Sequence, residues 1–134
     1  MSSTTYNITP GRFSRELPVT TQAHFKSSTA STNATSVRGS AGSIFNIIIH
    51  NTHSGGGGGS AITLRFYDKA TAPVVGTDVP MIIIHVQSND SKEINFTSGI
   101  TFKNGIAYSI TAGNALLDAT PVSADGVQVY IGYI

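Results

Sequence analysis

Cysteine is absent from this chain of 134 residues. No disulfide can staple the fold, and no thiolate zinc site can form. Charge is scarce too. Asp, Glu, Lys and Arg make up 11% of the residues, well under the usual ~25%. The net charge of +1 offers no basic cluster of the kind nucleic-acid binders need, so no nucleic-acid partner is expected. Long hydrophobic runs are missing. The isoleucine triplets at 47–49 and 82–84 are far too short to span a bilayer. The opening residues, MSSTTYNITPGRFSRELP, lack the apolar core of a signal peptide. A soluble product of a cytoplasm, with no membrane partner, is the expectation.

Ser, Thr and Asn carry the polar load that charge does not. They solvate strands and loops without repelling neighbours, which suits dense packing in an assembly and equally suits many secreted β-proteins. In a chain this rich in Ser and Thr, the sequons at Asn7, Asn33, Asn89 and Asn95 read as chance matches.

The chain divides into residues 1–25, an arm with a first strand, and residues 26–134, a β-sandwich domain. Residues 1–16 are polar and interrupted by Pro10 and Gly11. They read either as a loose terminus or as an arm that orders against a neighbouring subunit. In the second case Tyr6, Arg12, Phe13, Arg15 and Glu16 are the candidate contacts.

From residue 17 on, short strands follow at short intervals. LPVTTQAHF, 17–25, is the first. SIFNIIIHN, 43–51, is strong, with Phe45, Ile47 and Ile49 predicted on the core face. Five glycines, 55–59, then form a flexible hairpin tip leading to the strand AITLRFYDK. A connector with Pro73 and Gly76 leads into VPMIIIHVQ. Leu64 and Phe66, and beyond the connector Met81, Ile83 and His85, occupy alternating positions. KEINFTSGITF, IAYSITAG and VQVYIGYI follow, with LysAsnGly at 103–105 as a tight turn. NALLDATPVSADG is a long loop with room for one helical turn. Seven to nine short strands without a normal amphipathic helix predict an all-β, antiparallel sandwich of the Greek-key or jelly-roll kind.

Catalytic constellations do not stand out. His50 and His53 are three apart on a strand, a spacing that builds a metal face on a helix but not here. His85 reads as a packed histidine with a satisfied hydrogen bond. The glycines lack the Lys of a phosphate loop, and no GxSxG elbow is present. Most of the acids Glu16, Asp68, Asp78, Asp90, Glu93, Asp118 and Asp125 read as turn residues, where Asp stabilises bends, and not as a catalytic carboxylate pair. Calcium binding by the 118–125 loop lacks the EF-hand pattern. Tyr108, Tyr130, Tyr133 and Phe102 offer a stacking patch or core filling. No enzyme, cofactor or metal is expected.

Three segments, TNATSVRGSAG, LRFYDKATAPVVGTDVP and NGIAYSITAGNALLDATPVSADGVQVYIGY, resemble in order a family of short β-rich proteins of tailed bacteriophages. The resemblance covers residues 32–134, and YDKA…P…GTD..P is its specific part. The pentaglycine departs from the family pattern, which has a shorter polar loop there. Members are virion structural proteins, among them capsid cement or decoration proteins and fibre-associated modules. The resemblance implies a jelly-roll-like sandwich that trimerises on a virion surface and binds the major capsid protein. A host-binding tail or fibre module is the alternative. No catalytic residue belongs to the motif, so none carries over.

Overall fold

A computed structural model gives the fold and describes residues 22–53 and 61–134. The eight described strands are β1 (Gln22–Ser27), β2 (Thr35–Arg38), β3 (Gly42–Asn51), β4 (Ile62–Asp68), β5 (Ile82–Val86), β6 (Asp90–Phe102), β7 (Ile106–Thr111) and β8 (Val127–Tyr133). They form two antiparallel four-stranded sheets, ordered β1-β8-β3-β6 and β2-β7-β4-β5. β1 pairs β8, β2 pairs β7, β3 pairs β6 and β4 pairs β5. This nesting is what a chain folded back at its midpoint, between β4 and β5, produces when it rolls into two layers. The fold is a jelly-roll β-sandwich.

The nesting corrects one local reading. β3 and β4 lie in different sheets, so the glycine-rich segment joins sheets and is not a hairpin tip. Its residues 54–60 themselves lie outside the described residues. The turn at 103–105 likewise carries the chain from one sheet to the other. Gly105 is required there: a Cβ would meet Ala70 Cα at 2.6 Å, Arg38 O at 2.6 Å and Lys69 O at 2.7 Å.

The core lies between the sheets. β8 contributes Val127, Val129 and Ile131, and β7 contributes Ile106, Tyr108 and Ile110, as their alternation predicts. Each buried side chain of this size stabilises by roughly 1.5–3 kcal/mol relative to exposure. On β3 the core residues are Ile44, Ile47 and Ile49. Phe45 misses the predicted face because the register shifts between Ile44 and Asn46 against both β6 and β8. Against β8 this bulge adds one residue, so the alternation breaks at Phe45 and hands the core position to Ile44.

Parity also changes across the 69–81 connector. Leu64 pairs with Ile84 and Phe66 with Ile82, while Arg65 pairs with Ile83 and Thr63 with His85. Ile84 and Val86 therefore share the core with Leu64 and Phe66, and Met81, Ile83 and His85 are exposed. The hydrogen bond expected of His85 is present, between its Nδ1 and Thr63 Oγ1 at 3.0 Å, but on the outer face.

Candidate interaction surfaces

Along β4 and β7 the outer face of the second sheet is covered, while on β5 it is exposed. Thr63, Arg65 and Tyr67 of β4 and Ala107, Ser109 and Thr111 of β7 are all buried. Arg65 carries a full charge there with no exposure. Its guanidinium donates to the carbonyls of Leu116, Gly113 and Ala115 and to Thr111 Oγ1. One side chain thereby straps the loop after β7 down onto the sheet. Beside it the Tyr67 and Ser109 hydroxyls lie 3.0 Å apart. This polar layer is dictated by sequence: a charge this deep is tolerated only when its donors are matched.

Asp118 fixes the same loop. Its carboxylate accepts from the Gly113 and Thr120 N–H groups, each at 3.0 Å, and from Thr120 Oγ1. Burial pushes its pKa up, but these bonds and the Arg65 charge outweigh burial and hold it below the usual value. The loop makes a turn closed by Asp118 N to Ala115 O and no helix.

Asp68 and Asp78 also brace turns. Asp68 accepts from the Asn104 and Gly105 N–H groups, and the Asn104 bond chiefly lowers its pKa. Asp78 accepts from Lys69 Nζ at 2.6 Å and from Val74 N at 2.7 Å. The Lys69 bond chiefly holds it below the ordinary range. Among the described residues no three His, Cys, Asp or Glu side chains are grouped to hold a metal ion.

The aromatic residues regroup. Phe102 and Tyr108 have no exposure, and Tyr133 is buried. They complete the core and leave no patch with Tyr130. Tyr130 faces outward from β8 and meets a different partner, Phe25 on β1, with ring centroids 4.7 Å apart. His50 on β3 sits edge-on to Tyr130 at 5.9 Å, with its Nδ1 2.7 Å from Ser91 Oγ. Phe25 pairs directly with Tyr130, and Tyr130 with Ile48, so the cluster runs across three strands. The outward alternation of Gln128 and Tyr130 was the available signal; Phe25 became visible only through the β1–β8 register. His50 and His53 do not converge, since His53 packs over Gly126.

A cavity of about 370 Å³ opens where β4 begins, lined by Ala61, Thr63, His85, Gln87, Gly113 and Asn114 among others. Its lining bears no formal carboxylate, Lys or Arg.

A second apolar surface lies over the second sheet, where Val74, Val79, Met81, Ile83, Leu116 and Leu117 are exposed. The arm residues Tyr6, Arg12, Phe13, Arg15 and Glu16 lie outside the described residues. The described part of the predicted first strand belongs to β1, which pairs along its length with β8.

No family model matches the chain, and no curated protein matches it. Among solved structures, the tobacco streak virus coat protein is similar over 89% of this chain and 90% of its own, at 15% identity and a TM-score of 0.33. A structure of the dimer of that coat protein is similar over 87% and 88%, at 16% identity and a TM-score of 0.37. Likeness at this level is too distant to bear on function.

Proposed function

We propose that this chain is a non-enzymatic virion structural protein, a cement or decoration protein that binds and stabilises the head shell of a tailed bacteriophage as a trimer. The observation that carries the reading is the place of the segment 64–80. The residues that bear the phage-family resemblance form β4 and the connector that turns the jelly roll at its midpoint. The resemblance and the fold therefore meet on one structural element. Jelly rolls recur in capsid domains, which supports the class by analogy.

The arrangement of the polar groups agrees with this role. Asp68, Asp78 and Asp118 are committed to backbone bonds, and Arg65 is committed to a loop. Apolar surface is instead turned outward on both sheets. The partners on this reading are the major capsid protein and further copies of the chain, at the capsid surface, with synthesis in the host cytoplasm. Residues 1–25 contact the shell or an adjacent subunit, through Tyr6, Arg12, Phe13, Arg15 and Glu16.

The alternative, a host-binding tail or fibre module, draws on the Phe25–Tyr130 pair with His50 beside it, a stacking platform of the kind sugars use. Deleting residues 1–16 separates the two. Loss of shell occupancy by a folded variant supports the cement reading, and unchanged occupancy contradicts the role of the arm. Binding of the isolated protein to bacterial cells or glycans supports the alternative.

A further inference from the structure

Among the described residues four strands form the edges of the two sheets: β1, β6, β2 and β5. Three carry the charges that keep edges from pairing with other chains. β1 has Lys26, β2 has Arg38 and a register shift, and β6 has Asp90, Lys92 and Glu93. β5, with the sequence IIIHV, has no Lys, Arg, Asp or Glu.

The surface beside this edge is apolar. Val74, Val79, Met81, Ile83, Leu116 and Leu117 are 38–68% exposed. They are held together by the layer beneath. Ile83 pairs across the sheet with Arg65, and Arg65 Nε donates to Leu116 O. The connector meets the loop where Gly76 faces Ala119 and Leu117 O. Side chains of this size and exposure present apolar area on the order of 500 Å², at the upper end for a monomer. With a polar rim that approaches the ~800 Å² each partner buries in a stable interface.

The surface carries little net charge: the Asp118 carboxylate beside Leu117 is offset by the Arg65 charge beneath the loop. Lys69 and Asp78, the ionic groups of the connector, neutralise each other in a 2.6 Å ion pair. The Arg65 charge is sealed under the loop. Nothing here selects a charged partner, whereas two copies can face one another without like-charge repulsion.

We propose that the β5 edge and this surface form the contact between copies of this chain, so that the partner is a second copy. The inference rests on the reading that the protein works as an assembly, and it specifies which face assembles. Copies arranged about a symmetry axis then leave the Phe25–Tyr130 face free for other contacts.

Sedimentation equilibrium of the full chain tests it. The wild type sediments as an oligomer. Ile83→Glu combined with Leu117→Glu sediments as a folded monomer, its dissociation constant raised about 100-fold or more by two charges buried in the contact. Val79→Lys, in the exposed connector, gives the same shift where the double variant fails to fold. Phe25→Ser with Tyr130→Ser on the opposite face leaves the mass unchanged. A monomeric wild type, an oligomer that survives both patch variants, or dissociation by the Phe25 and Tyr130 changes overturns the proposal. Shell occupancy is scored separately: a patch-dependent oligomer that never binds a shell refutes the cement reading and leaves this one standing.

Discussion

His24 Nε2 on β1 lies 3.2 Å from the hydroxyl of Tyr108 on β7, so this contact joins the two sheets. The rings meet edge to face at 5.6 Å. Burial, with the Lys26 charge adding to it, lowers the pKa of His24 from 6.5. Burial pushes the Tyr108 phenol up to about 12, so it stays protonated throughout the useful range. Below pH 6.5 the unfolded chain therefore takes up the His24 proton before the folded one does. Stability is full above that pH and falls as pH drops through the lower, folded value. The melting temperature of the wild type should decline between pH 7.5 and 5.5, and that of His24→Gln should decline less. Parallel curves for the two proteins would remove His24 from the account. Asp68, Asp78 and Asp118, all held low, add a separate loss at more acid pH, as their folded-state values are crossed.

Arg65 is predicted to be the strap on the loop after β7. Arg65→Ala leaves the carbonyls of Gly113, Ala115 and Leu116 without this donor and opens a cavity over Ser109 and Thr111. The expected cost is about 3 kcal/mol in urea unfolding, with faster proteolysis within residues 113–122. A cost below about 1 kcal/mol with an unchanged digestion pattern would show that the loop holds itself.

Two glycines flank the same corner with opposite tolerance. A Cβ at Gly105 meets backbone atoms of three residues at 2.6–2.7 Å, whereas a Cβ at Gly39 meets only Ala70 O, at 3.6 Å. Gly105→Ala should destabilise by about 2–3 kcal/mol, because backbone cannot move aside as a side chain can. Gly39→Ala should stay within about 0.5 kcal/mol of the wild type. Chemical denaturation of the pair measures the contrast, and equal effects would mean that the corner is loosely packed.

The regular parts of this fold were legible in the sequence. Val127, Val129 and Ile131, and likewise Ile106, Tyr108 and Ile110, alternate without interruption, and each set lies in the core. Legibility ended where the period of two was broken. Against β8 the bulge at Phe45 adds a residue that composition does not mark. The connector 69–81 changes which isoleucines of β5 face inward. The hairpin reading of 51–61 failed because a tight loop and an inter-sheet crossing draw on the same small residues. The burial of Arg65 was not legible, since nothing local shows that a loop fifty residues later folds over it. The Phe25–Tyr130 cluster likewise depends on strand register, a long-range property.

The central claim, that this jelly roll is a structural component of a phage head, is tested most directly by imaging phage particles that carry the labelled protein. Regularly repeated density is expected on the head shell, at positions related by the shell's symmetry, and it disappears when residues 1–16 are deleted. Particles without that density, or with the label confined to the tail or fibre tips, would contradict it.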